Sequence, residues 1–139
     1  MSTKVIVSML AAVAVVALGA FFFLKSTPTS LITSVVEQQF VAISVADYEK
    51  AHTFLAKDKR EKMDKDDLRY YVAEHPLLES NLKRTFKNVV VQQDGITATA
   101  YVNVENVSGE KGGIDVFLTK EDAEWKISSY NFVSADLIN

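Results

Sequence analysis

Between Val5 and Leu24 the chain runs twenty residues without a charge (VIVSMLAAVAVVALGAFFFL), and a stretch of that length has no ordinary place in a small water-soluble domain. At about 1.5 Å of rise per residue it makes roughly 30 Å of helix, the thickness of a bilayer's hydrocarbon layer. The run predicts a transmembrane helix, a signal-anchor over residues 1–25 that holds the chain to a membrane through residues 5–24. A cleaved secretory signal is the competing reading, since Lys4 supplies a charged start and Ala17, Gly19 and Ala20 are small enough for a cleavage site. Against it, the apolar run continues past those residues through Phe21, Phe22, Phe23 and Leu24. Lys4 and the terminal amine on one side, against Lys25 on the other, give a slight charge bias. Positive N-terminal tails stay in the cytoplasm. The expectation is a single-pass protein of the inner (cytoplasmic) membrane with its C-terminal domain in the periplasm.

Removing Lys4 and Lys25 from the 15 basic residues leaves 13 against 18 acidic ones, a net charge of −5 beyond the anchor. That sign argues against nucleic acid, whose phosphates need a basic surface. The chain has no cysteine, which excludes internal disulfides and thiolate metal sites without deciding the compartment.

Residues 26–30 (STPTS) have the composition of a linker, and residues 31–139 form one domain. Ser34 and Glu37 stand at capping-box spacing, with Thr29 or Ser30 as an earlier cap, so a first helix starts near here. Asp47 reads as the N-cap of a second helix, DYEKAHTFLA, and Asp64 as that of a third, which Pro76 stops. The mixed charges of Lys57–Arg69 read as a solvated turn and helix face. After Leu82 the apolar period changes to alternation, and turns at Asp94-Gly95, Ser108–Gly113 and Lys120–Glu124 divide the rest into four strands. These run approximately over Arg84–Gln93, Ile96–Asn106, Ile114–Lys120 and Glu124–Val133. The fold class is α+β: three helices packed on a curved, four-stranded antiparallel meander.

A two-residue type I′ turn at Asp94-Gly95 pairs Gln93 with Ile96, Val91 with Ala98 and Val89 with Ala100. Ile96, Ala98, Ala100, Val102 and Val104 then face the core, joined by Ile114, Val116 and Leu118. The opposite face receives Phe86, Val90, Tyr101 and Phe117. Tyr130 and Phe132 join them if the last strand alternates without interruption from Trp125, whereas a bulge at Ser128-Ser129 turns both inward. An aromatic face of this kind reads as a partner-binding surface of Phe86, Tyr101, Phe117, Tyr130 and Phe132.

The order of helices and strands, with DYEKAHTFL early and EWKISSYNF at the end, resembles the nuclear-transport-factor-2-like (cystatin-like) superfamily over about residues 31–133. The resemblance implies a sheet folded into a cone around the helices, often dimeric through its outer face. Enzymes of the superfamily place acids, bases and tyrosines inside that cone. No such motif matches here residue by residue. Inner-membrane scaffold proteins of type IV secretion systems likewise join one membrane helix to a domain of this fold. The leading expectation is a membrane-tethered, non-catalytic binding or scaffolding module whose partner is a protein or a second copy of itself. The alternative is a small-molecule or enzymatic pocket within the cone, built from Asp47, Tyr48, His52 and Tyr70. His52 and His75, the only histidines, lack metal-ligand spacing, and no motif points to a cofactor.

Overall fold

The computed structural model of the protein describes residues 27–134. The apolar run Val5–Leu24 lies outside them, and among the described residues no helix is long and apolar enough to cross a membrane. Helices α1 (Pro28–Ser44), α2 (Tyr48–Thr53), α3 (Lys57–Lys62), α4 (Lys65–Ala73) and α5 (Pro76–Glu79) precede strands β1 (Asn81–Val91), β2 (Thr97–Asn106), β3 (Lys111–Glu121) and β4 (Glu124–Ser134). The sheet is antiparallel in the order β1-β2-β3-β4, the meander that the turn signals predicted. Among the described residues five helices stand where periodicity predicted three, because the charge run folds into α3 and the start of α4, and Pro76 opens the short α5.

Helix α1 begins inside the segment read as a linker. Thr27 is its N-cap, with Oγ1 accepting from the Ser30 amide at 3.1 Å, and Pro28 occupies the first turn, where its missing N–H costs nothing. Ile32, Val36, Phe40 and Ile43 recur at helical spacing and are buried against the sheet. Ser34 and Glu37, a capping pair by spacing, lie in mid-helix, where the Glu37 carboxylate pairs with Arg84 instead. The capping box forms at Asp64 and Asp67, whose side chains accept from each other's backbone amides at 2.8 and 3.1 Å. Asp47 caps α2 as expected, accepting from the Lys50 amide at 3.2 Å.

The inner face of the sheet carries rows that cross all four strands. Val91, Ala98, Leu118 and Ile127 form one, and Val89, Ala100, Val116 and Tyr130 the next. Two bulges interrupt the alternation, and the one at Ser128 is the alternative that the sequence left open for the last strand. One, between Phe86 and Asn88, pairs Phe86 with Val102 and so turns Phe86 to the inner face. The other, at Ser128, leaves Phe117 opposite Ser129 but Leu118 opposite Ile127, which brings Tyr130 onto Val116 and Phe132 onto Ile114. Phe86, Tyr130 and Phe132 are therefore half-buried inner-face residues packed against the core, and not members of an outer patch. Segment Phe54–Ala56 bonds to the free edge of β4, through Ile127 N to Phe54 O at 2.8 Å and Ala56 N to Ile127 O at 2.7 Å.

The type I′ turn falls elsewhere than predicted. Asp94-Gly95 belongs to a four-residue loop closed by the Gln92 amide on Thr97 O, with only Gly95 left-handed (φ 72°). Asp94 Oδ1 holds it by accepting from the amides of Ile96 and Thr97 at 2.9 and 3.0 Å. The longer loop preserves the Val91–Ala98 register but releases Ile96, expected in the core, to 53% exposure. Asp122 (φ 49°) and Ala123 (φ 66°) instead form the two-residue, doubly left-handed turn between β3 and β4. A third left-handed residue other than glycine, Ala46 (φ 59°), ends α1, with its amide on Ile43 O and the next amide on Ala42 O.

Alanine has no local means of easing a left-handed conformation, and glycine adopts it freely. Ala46→Gly and Ala123→Gly are each expected to stabilise the fold by roughly 0.5–1 kcal/mol. The readout is a higher urea midpoint at unchanged slope, measured on the chain in mild detergent. A lower midpoint would show that the position is not left-handed in solution.

Candidate functional site

The inside of the fold is filled where the Ser128 bulge delivers its aromatics. Tyr71 of α4, His75 ahead of α5, and Tyr130 and Phe132 of β4 form one cluster. His75 stacks on Phe132 with ring centroids 4.1 Å apart and 13° between planes, and Tyr71 lies 4.5 Å from His75 and 6.0 Å from Tyr130. The His75 ring is fixed by Nδ1, 2.8 Å from the Tyr71 carbonyl. Behind the cluster, the Tyr130 hydroxyl donates to Gln39 Oε1, and Gln39 Nε2 donates to the Ala51 carbonyl at 3.2 Å. Gln39 is fully buried, so this chain of bonds satisfies both ends of an amide that would otherwise be costly to desolvate. Burial pushes the Tyr130 phenol far above the ordinary tyrosine range. Burial raises Tyr71 as well.

A cleft of about 100 Å³ lies beside this cluster, between Leu55, Lys59, Met63, Leu68, Tyr71, Ser128, Ser129 and Tyr130. That is well below the roughly 300–1,000 Å³ of ordinary small-molecule sites. The residues expected to line a pocket do not converge on it. Asp47 is spent as an exposed helix cap, Tyr70 is 65% exposed with Arg69 over its ring, and the His52 Nε2 lies 2.6 Å from the Met63 carbonyl. Tyr48 packs against the core, its phenol raised first by burial and then by the nearby Glu79 carboxylate, with Arg69 opposing. Among the described residues no group of three or more His, Cys, Asp or Glu could hold a metal ion.

The outer face keeps two of the aromatics placed there from sequence. Tyr101, between Asn88 and Asp115, is 38% exposed, and Phe117, between Thr99 and Ser129, is 37% exposed. Val90, Thr99 and Phe117 sit side by side across three strands, and Thr99 is buried between its two apolar neighbours. Next to them a shallow depression of about 410 Å³ opens between Tyr101, Asn103, Asp115 and Val133. The Asp115 carboxylate at its edge accepts from Asn131 Nδ2 at 3.3 Å. Tyr71 and His75 carried no distinguishing signal. A glutamine inside the buried stripe Val36–Phe40 was the one available hint, because such a position demands a hydrogen-bond partner.

Residues 25–137 match the family described as a domain of unknown function, DUF4864. The chain belongs to the DUF4864 family. Among curated proteins no sequence matches. The DUF4864 domain has the nuclear-transport-factor-2-like, cystatin-like fold. It is similar to an NTF-2-like protein of unknown function from Shewanella oneidensis MR-1, at 18% identity and a TM-score of 0.55 over 76% of this chain and 98% of that one. A protein of unknown function with a cystatin-like fold from Nostoc punctiforme gives 15% identity and a TM-score of 0.54 over 78% and 92%. A SEC-C motif containing protein from Rhodopseudomonas palustris gives 14% identity and a TM-score of 0.53 over 72% and 77%. At these identities the likeness is one of fold.

The Tyr130–Gln39 bond yields a test with a sign. An unfolded chain ionises this phenol near 10.0, while the folded chain holds it neutral to higher pH, so folding stability falls as pH rises past that value. Tyr130→Phe is expected to cost about 1–2 kcal/mol at neutral pH, because Gln39 Oε1 loses its donor. The same substitution should flatten the alkaline decline in stability relative to the native chain. Identical alkaline slopes would place the phenol in water.

Proposed function

We propose that this DUF4864 protein is a membrane-tethered, non-catalytic binding or scaffolding module that engages a protein, itself included, through the outer face of its sheet. The observation that carries the reading is the filled interior: the face that could enclose a substrate is occupied by Tyr71, His75, Tyr130 and Phe132, leaving about 100 Å³. Tyr101 and Phe117, by contrast, stay half-exposed on the outer face beside a shallow depression. Aromatic side chains set in a flat sheet face are favoured as interface anchors, since they bury much area at low conformational cost. A tether through residues 5–24 supports the same reading, because it raises the local concentration of any partner in the membrane and makes a modest contact sufficient. The charge at Lys4 favours the inner membrane, with the domain on the periplasmic side.

Tyr101→Ala combined with Phe117→Ala is expected to abolish self-association or partner co-purification of the full chain in mild detergent, with the thermal transition displaced by only a few degrees. Light scattering after gel filtration reads the first effect and circular dichroism the second. Association that survives in a folded double variant would remove the outer face from consideration. The tether has a separate test: the full chain should sediment with membranes and resist alkaline carbonate. Recovery of a mature chain beginning near Ala20 or Phe21 would overturn it.

A further inference from the structure

The meander brings the β1–β2 loop and the β3–β4 turn to the same end of the sheet, where the Lys120 amide donates to the Ile96 carbonyl at 2.7 Å. Helix α1 starts at this end as well. Its first turns, with Leu31 and Val35, form a groove of about 330 Å³ with Phe54, Ala123 and Trp125. Two aliphatic side chains stand exposed at this pole, Leu31 at 46% and Ile96 at 53%. The turns at this pole also carry charges, Asp94, Glu121, Asp122 and Glu124 against Lys120 and Lys126.

The chain that precedes the described residues enters at this pole. Lys25 and Ser26 alone separate Leu24, the last residue of the apolar run, from Thr27, the cap of α1. At no more than about 3.6 Å per residue, Thr27 lies within roughly 11 Å of Leu24. The headgroup layer on one side of a bilayer is itself roughly 5–7 Å deep. Leu31, one helical turn beyond Thr27, cannot then be carried far from the lipid. The opposite pole also exposes aliphatics, Val45, Leu82 and Val107, but strands of this length hold it roughly 30 Å away.

We infer that the pole formed by the start of α1, the β1–β2 loop and the β3–β4 turn is a membrane-contact surface, with Leu31 and Ile96 resting at the boundary of headgroups and acyl chains. The inference rests on the tether proposed above and deepens it. A domain held this way has its strands directed away from the bilayer, so that the outer sheet face with Tyr101 and Phe117 is presented sideways, toward other proteins in the same membrane. Aliphatic side chains at such a boundary gain by leaving water even without charge attraction.

Because the native chain has no cysteine, single labels can be placed at will. Leu31→Cys, Ile96→Cys and Val107→Cys replace exposed residues and so leave the core intact. Each full-length variant, labelled with an environment-sensitive fluorophore, would be reconstituted in vesicles of phosphatidylethanolamine and phosphatidylglycerol containing a lipid with a quencher high on its acyl chain. Labels at positions 31 and 96 are expected to be quenched several-fold more strongly than the label at 107. If the chain floats with the vesicles yet all three labels are quenched alike, the tether stands and the contact surface is overturned. A chain that does not float overturns the tether and the contact surface together. Protection of Ile96→Cys from a water-soluble maleimide in native membranes, without quenching in pure lipid, would assign the pole to a protein partner and overturn the lipid contact.

Discussion

One extra residue in β4 decides what the inside of this domain contains. Ser128 is inserted between Ile127 and Ser129, which face Leu118 and Phe117, and its hydroxyl donates to the Phe117 carbonyl at 3.0 Å. Because side chains alternate along a strand, the insertion flips everything after it, so that Tyr130 and Phe132 turn inward with Trp125 and Ile127. Each large aromatic so buried is worth on the order of 2 kcal/mol of removed apolar surface, which outweighs the ladder bond that a bulge disrupts. The stack on His75, the contact with Tyr71 and the bond from Tyr130 to Gln39 all follow from that single insertion.

A second constraint fastens the helices to the sheet. Arg84, on the inner side of β1, donates through Nε and an Nη to the two carboxylate oxygens of Glu37 at 2.9 and 2.7 Å, and through its other Nη to the carbonyl and side-chain oxygens of Asn81. The buried Asn81 amide in turn donates to the carbonyls of Phe40 and Leu78. This network ties α1, α5 and β1 together, and its bidentate geometry makes it more directional than an ordinary surface ion pair. Glu37 therefore has a tertiary role in place of the capping role that its spacing suggested.

The two faces of the sheet consequently differ in what they can do. The inner face is committed to side-chain packing and internal hydrogen bonds, and the outer face retains Tyr101 and Phe117 half in water. A fold of this kind can host chemistry inside its cone, yet likeness of fold does not confer a site.

Local chemistry in the sequence determined much of this. The caps at Asp47 and Asp64, the change of period after Leu82, the order of four strands, and the outward placement of Tyr101 and Phe117 all follow from interactions within a few residues or across one hairpin. The placement of Phe86 did not follow, and that of Tyr130 and Phe132 stayed open between an uninterrupted strand and a bulge at Ser128-Ser129. Each lies beyond a bulge, and a bulge has no fixed sequence signature, since whether a strand takes an extra residue depends on which aromatics the opposing helices can receive. The same holds for Gln39, whose burial is tolerable only because Tyr130 and the Ala51 carbonyl, distant along the chain, arrive at its two ends. The sequence alone determined the class, the order of the four strands and an apolar run long enough to cross a membrane. Tertiary packing decided which aromatics are core and which are surface, because strand parity is a global property that a single inserted residue reverses.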